Sequence, residues 1–407
     1  MIIGVDWDLT VADPATCCVR IGPTGADLPG HVDSYAGPTA AGYPFDAFGV
    51  WGAMRRVNLS DAGVVNAAWG DGCFSDTNTL VMGQVMVEIP KHLYWVDTTL
   101  ADHLRYYVAD IADAGSIIRN AANDADITLS ATTHLHPAFK RNTVVKAYIY
   151  VGAYEGYINS LDRYALESCA GRTITLTAAP ATYRTAARAR VAGAADKWET
   201  LDYLTLCDLQ LLYLVEYANP NCQTTLGYGN CGDGTAILET GITQGVGNVS
   251  YGLPFSSYIY HAPVSYRGIE NLWGNCGTHI DGLITNNYVV YVADHGFNDT
   301  TPPSGTYVTT GLTLPSAISL TYGKTPTVAT ATACPYSFIP AAAATDAPVD
   351  GTKWCCDDFA TATGYCNLVQ SGWWHITWGL NGIFSHQLHW PLGAGDSTVG
   401  ARLVYIG

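Results

Sequence analysis

The stretch Asn142-Thr-Val-Val-Lys-Ala-Tyr-Ile-Tyr-Val-Gly-Ala-Tyr154 carries the strongest strand signal in the chain. Val144, Tyr148 and Tyr150 fall on one face of the predicted strand, and Val145, Ala147, Ile149 and Val151 on the other. β-Branched and aromatic residues of this kind suit a pleated, half-buried surface. Two helical patterns follow. Thr177-Ala-Ala-Pro-Ala-Thr-Tyr-Arg-Thr-Ala-Ala-Arg-Ala-Arg190 offers a hydroxyl N-cap candidate, an early Pro and an Ala-rich body, with Gly193 as a stop. From about Glu199 to Tyr217, Leu201, Leu204, Asp208, Leu211, Leu212 and Val215 recur at helical spacing, which predicts one mainly apolar face. A strand, two helices, then strands and long loops make an α+β pattern.

Upstream, residues 1–130 read as a β-rich region. Pro, Gly and Asp punctuate short apolar runs at Cys18–Ile21, Val64–Trp69 and Gln84–Ile89. Downstream, a Gly-rich loop spans 226–253, a strand is expected at Tyr288–Ala293, and the Thr-, Pro- and Ala-rich stretch 299–350 reads as loop with a strand at Ser316–Thr321. The end, Gly400–Gly407, is a final strand. The expected organisation is a β-rich region over 1–130 and an α+β domain over 131–407. Long loops on a small sheet scaffold are where binding usually resides.

Composition narrows the function. The chain has 407 residues, of which 48% are hydrophobic and only 13% charged, which argues against disorder. Its net charge of −16, with no basic run, argues against a general nucleic-acid binder. The start, Met1-Ile-Ile-Gly-Val-Asp-Trp-Asp8, lacks the features of a signal peptide. No apolar run reaches ~18 residues, so no membrane insertion is expected, and the protein reads as soluble and made in a cytoplasm. The 12 cysteines form no CxxC pair. They leave three states open: reduced and buried, one or two disulfides (Cys222 with Cys231 first, then Cys355 or Cys356 with Cys366), or metal binding.

The block Ser265-Tyr-Arg-Gly-Ile-Glu-Asn-Leu-Trp-Gly-Asn275 resembles phage virion proteins whose C-terminal half has a C-type lectin fold of the formylglycine-generating-enzyme subtype. Some of these are variable proteins diversified by retroelements, functionally akin to the major tropism determinant. Further matching blocks are Gly4-Val-Asp-Trp-Asp8, Pro44-Phe-Asp46, Met54-Arg-Arg-Val-Asn58, Gln84–Lys91, His136-Pro-Ala-Phe139, Ala147–Gly156, Leu209–Tyr217 and Val399-Gly-Ala-Arg-Leu403. The resemblance covers nearly the whole chain. The physical reading of 265–275 is mainly structural. Trp273 is a core anchor, Gly268 and Gly274 permit tight turns, and Arg267 and Glu270 form a candidate ion pair. The family usually continues with aromatics where this chain has Cys276-Gly-Thr-His279.

Between Trp373 and Trp390 the chain has four Trp and three His among Gly, Ser, Thr and Asn. Rigid aromatics interleaved with small polar residues are the composition of a paratope. In similar diversified proteins this region, here about 371–402, carries the variable positions. By that pattern the exposed, ligand-binding positions are Trp373, His375, Ile376, Trp378, Asn381, Ser385, His386, Gln387, His389 and Trp390. Trp374, Gly382, Phe384, Leu388 and Arg402 are scaffold. A strand pair with ordinary core Trp is the competing reading.

Other chemistry is weakly signalled. His375, His386 and His389, even with Asp396, have poor metal-ligand spacing amid Gly, Pro and Ser. No cofactor is expected, although Asp357-Asp358 or Asp294/Asn298/Asp299 leave a structural cation open. The fold's enzymatic relatives use a cysteine pair that this chain lacks near its end, and Gly-x-Ser-x-Gly and HExxH are absent. Paired carboxylates of a glycoside hydrolase meet only in space. The resemblance therefore implies a non-enzymatic virion adhesin. It would be a homotrimer beside other virion proteins, with a bacterial surface glycan or protein as its receptor. A structural head or tail decoration without a specific receptor is the alternative.

Overall fold

The computed structural model describes the chain apart from residues 12, 29–44, 48, 78, 120–125, 192–196, 232–235, 253–261, 302, 304, 317–320, 325–330, 333, 341–342, 345–353, 371 and 373–380. The architecture is mixed α+β, with many strands and few helices. The helices are α1 (Gly49–Ala53), α2 (Thr79–Met82), α3 (Pro180–Arg188), α4 (Tyr203–Tyr217) and α5 (Cys222–Thr225).

Three sheets dominate. The first has the order Cys18–Ile21, Ile2–Asp8, His103–Asp110, His92–Asp97. The second runs Trp198–Thr200, Leu403–Tyr405, Tyr148–Gly152, Gln84–Pro90, Arg55–Leu59, Val65–Ala68. The third is built on Gly277–Asn286, Tyr365–Gln370, His386–Pro391 and Trp354–Thr361.

The second sheet joins Gln84–Pro90 to Tyr148–Gly152, with Ile149 opposite Ile89 and Val151 opposite Val87. It therefore crosses the boundary expected near residue 130. One hydrophobic core also runs from Ile3 to Ile406. Residues 1–130 and 131–407 are not separate structural units, because the strands of the first region complete the core of the second.

The strand expected over 142–154 is shorter and broken. Lys140–Arg141 and Val144–Val145 form a small hairpin, and the sheet strand begins at Tyr148. Asn142 has a positive φ of 55° at the hairpin turn. The first helix starts at Pro180 with Ala179 as N-cap, not at Thr177, whose φ is 70°. Glu199 belongs to a strand, and α4 begins at Tyr203, capped by Asp202 accepting from the Thr205 amide at 3.1 Å.

α4 is not amphipathic in place. Fourteen of its fifteen residues are buried, as expected of a helix enclosed on all sides. Several of its polar residues meet partners from elsewhere in the chain. Asp208 meets His92 at 2.9 Å and His136 at 3.2 Å. The Gln210 amide donates to the Ile383 carbonyl at 2.7 Å. Glu216 pairs with Arg267. Arg20 donates from Nε to the Val215 carbonyl at 3.1 Å and from Nη2 to that of Glu216, satisfying the C-terminal end of the helix. α4 is thus the axle that fixes the N-terminal sheet to the C-terminal one.

Candidate functional site

The strand His386–Pro391 supplies the described part of the candidate face. It lies inside the third sheet, antiparallel to Tyr365–Gln370 and parallel to Trp354–Thr361. An interior strand with covered faces has little side-chain surface left for a ligand. Asn381, Ser385, His386 and Gln387, expected to be exposed, are instead buried, as are the scaffold positions Phe384 and Leu388. His389 and Trp390 remain partly exposed near the strand end, their ring centroids 5.3 Å apart. Trp390 Nε1 donates to Gln387 Oε1 at 3.3 Å. Trp373, His375, Ile376 and Trp378, with the scaffold candidate Trp374, lie outside the described residues.

The chain on either side of 373–380 is held tightly. At Gly372 a Cβ would come within 2.4 Å of the Gly274 amide nitrogen. At Gly382 it would lie 2.1 Å from Asp357 Oδ1. Asp357 Oδ2 accepts from the Phe384 amide at 2.7 Å. Gln223 Nε2 donates to the Asn381 carbonyl at 2.7 Å. His386 Nδ1 lies 2.8 Å from the Phe384 carbonyl, which places the ring proton on Nδ1. Burial lowers the His386 pKa to about 4, so the ring is neutral and Nε2 is an acceptor. Gln210 Oε1, Gln370 Oε1 and His386 Nε2 are buried without a hydrogen-bond partner among the described residues.

The 265–275 block is scaffold, but its expected ion pair is not formed. Arg267 Nε donates to Glu216 Oε2 at 3.1 Å, its Nη2 to Oε1, and its Nη1 to Asp46. Glu270 instead accepts from the Gly241 amide at 2.7 Å, the Thr243 amide at 2.6 Å and the Thr243 hydroxyl at 2.8 Å. It anchors a loop where a cation was expected. Trp273 is buried and donates to the Gly227 carbonyl at 2.9 Å. Gly268 and Gly274 have φ of 84° and 82°, as their expected turns require. Arg402 is buried and donates to the carbonyls of Gly152, Glu270 and Asn271.

The divergent Cys276 has a specific partner. Its thiol donates to Glu155 Oε1 at 3.0 Å, while Asn271 and Asn275 donate to Oε2 at 3.1 and 2.8 Å. Burial pushes Glu155 up to about 7 against the pull of Arg402 and these donors. The Cys276 thiol is held well above its ordinary range by burial and by Glu155.

Among the described residues every cysteine except Cys73 is buried. Cys222 and Cys231, the favoured disulfide candidates, are buried and unbridged. Burial raises the thiols of Cys169, Cys207 and Cys366, and those of Cys231 and Cys334 to about 11. The side chains of Cys355 and Cys356 lie outside the described residues. Among the described residues no group of three His, Cys, Asp or Glu side chains could hold a metal ion. Asp294 pairs with His295, and Asp299 with Arg184 at 3.0 Å. No described helix is long and apolar enough to cross a membrane.

Sequence reasoning missed one cluster, His92–Asp208–His136, which is buried throughout. Asp208 raises the His92 pKa against burial, and His92 in turn lowers that of Asp208 against burial. His136 is pushed down to about 4 by burial, and its Nδ1 accepts from the Ala138 amide at 3.3 Å. The signal was present: an Asp on an apolar helix face demands a buried partner. This cluster serves the core rather than an opening to solvent.

A scan against models of protein families matched none, and a search of curated proteins found no match.

Proposed function

We propose that this chain is a phage virion adhesin. Its C-terminal region would be C-type-lectin-like and would bind a bacterial surface receptor, glycan or protein, through the Trp- and His-rich segment 373–390. One observation carries the reading: the aromatic stretch 373–380 runs between two rigid anchors. Gly372 is seated against Gly274, and 381–388 is sealed by Asp357, Gln210 and Gln223. A fixed frame around a sequence of rigid aromatics lowers the entropy cost of binding. His389 and Trp390 would extend the same face. The blocks that carry the resemblance also meet in one scaffold, with partly exposed Asp46 and buried Glu216 both paired to Arg267.

The mechanism is binding without bond making. Aromatics would stack on sugars or fill protein pockets, and several copies, a homotrimer by analogy, would add avidity on the particle. The second reading is a structural head or tail decoration. The burial of Asn381, Ser385, His386 and Gln387 favours it, because it shrinks the described face. Particles carrying Trp373→Ala, Trp378→Ala and Trp390→Ala together separate the two. The adhesin reading expects assembly to survive and host adsorption to collapse; normal adsorption would leave decoration as the function.

A further inference from the structure

The first sheet ends on the strand His92–Asp97, and only half of that strand's outer edge is covered. A bridge between Leu93 and Leu135 begins the cover. The His136 amide donates to the His92 carbonyl at 3.2 Å, and the Tyr94 amide to the His134 carbonyl at 2.7 Å. There the ladder stops. The His134 amide, next in register for the Tyr94 carbonyl, turns back to the Ser130 carbonyl at 3.1 Å. The His134 ring turns with it, its Nδ1 accepting from the Ser130 amide at 2.9 Å.

Backbone groups of successive residues alternate between the two edges of a strand. The Tyr94 amide points away from the neighbouring strand His103–Asp110, so the Tyr94 carbonyl and the Val96 amide do too. Neither has a hydrogen-bond partner among the described residues. Val96 is only 7% exposed, and a buried amide without a partner is rare.

Tyr94 and Val96 line a groove of about 280 Å³. Pro335 lines it as well and has no N–H with which to pair. So do exposed Thr133 and the edge-to-face rings of Trp95 and His134, centroids 5.3 Å apart. Past Asp97, the Thr332 hydroxyl donates to that of Thr98 at 3.3 Å. The uncovered edge is therefore short, with room for about three residues of extended chain at ~3.3 Å each.

We infer that this slot takes a short extended segment of a partner protein, added to the sheet edge as a further strand. An extended main chain presents N–H and C=O groups at the spacing that the Tyr94 carbonyl and the Val96 amide require. Its alternate side chains can lie against Trp95 and Pro335. A second copy of this chain is disfavoured as the source, because each copy carries −16. No residue of 373–390 takes part, so the inference stands independently of the adhesin reading.

The probe is the dye-labelled, capped peptide Lys-Val-Thr-Val-Lys, beside an analogue whose three central amides are N-methylated. The two share side chains and charge, and only the first can pair as a strand. Its exact sequence is secondary, because main-chain bonds supply the affinity. In the free full chain the Val96 amide should exchange hydrogen at least about tenfold faster than that of Trp95, which faces His103–Asp110. Saturating probe should slow it to the Trp95 rate, and the methylated analogue should leave it unchanged. Val96→Pro removes the donor at an edge position where proline is tolerated. Thr133→Trp fills the groove from an exposed position. By fluorescence anisotropy each should bind the probe at least about tenfold more weakly than the wild type. A thermal melt checks both folds, and Thr133→Trp decides if the proline disturbs the strand. Equal affinity for the probe and its methylated analogue, or no binding of either, overturns the inference. So do folded variants that bind like the wild type. A Val96 amide already protected in the free chain, at any concentration, also overturns it, because the slot would then be filled from within or by a second copy.

Discussion

At the scale of single residues, Arg267 shows what was readable and what was not. That it needed a carboxylate partner followed from an Arg among apolar and Gly residues. Which carboxylate did not, because Glu216 is 51 positions away and Asp46 is 221. The nearby Glu270 was the local choice, and the fold spends it on the amides of Gly241 and Thr243. Burial lowers the Arg267 pKa, but Glu216 more than offsets it, and the guanidinium is held above its ordinary range. Glu216→Gln would leave a buried guanidinium with only Asp46 beside it, so a loss of about 3–5 kcal/mol is expected. Urea unfolding measures it, and a change under about 1 kcal/mol would mean the pair adds little beyond its own desolvation cost. Trp273, Gly268 and Gly274 were legible because their roles are local: a large apolar body and two positive φ values.

Among elements, strands announced themselves better than helix faces did. Cys18–Ile21 and the core of Gln84–Pro90 appear where short apolar runs between turn residues placed them. α4 was found within a few residues at its start, but its solvent face does not exist. Periodicity reports where apolar residues recur; it cannot report that His92, Arg267 and the Ile383 carbonyl will cover the polar side. The same blindness misplaced Asn381, Ser385, His386 and Gln387. Small polar residues and His look like surface in one dimension, yet His386–Pro391 has a strand on each side. Long-range sheet pairing makes such residues core, and no local pattern encodes it.

For the whole molecule, the buried ionisable groups make stability depend on pH. His136, His279 and His386 each have folded values near 4 because burial disfavours the charged ring. The unfolded chain protonates them near pH 6.5. Between pH 6.5 and 4 the unfolded state therefore binds protons that the folded state refuses. Stability falls by about 1.4 kcal/mol per unit for each ring as pH drops through that window. Glu155, raised to about 7, acts in the opposite sense, since its contribution is lost as pH rises from the ordinary carboxyl range through 7. Three rings outweigh one carboxyl, so the urea midpoint should be lower at pH 5 than at pH 7. An equal or higher midpoint at pH 5 would mean that these rings are solvated or already charged in the fold.

The α+β character was legible from one strand and two helical patterns, but the division near residue 130 was not a structural one. The strands Arg55–Leu59 and Gln84–Pro90 pair into the sheet that also holds Tyr148–Gly152 and Leu403–Tyr405. A chain knitted from end to end in this way makes a rigid platform for the segment it frames. The most direct measurement of that claim is binding of the purified chain to a panel of intact bacterial cells, beside the Trp373/Trp378/Trp390 triple Ala variant. The account predicts saturable binding to one cell type, lost by at least about tenfold in a variant with an unchanged melt. Equal binding by both proteins, or none by either, would contradict it and leave the aromatic segment without a binding role.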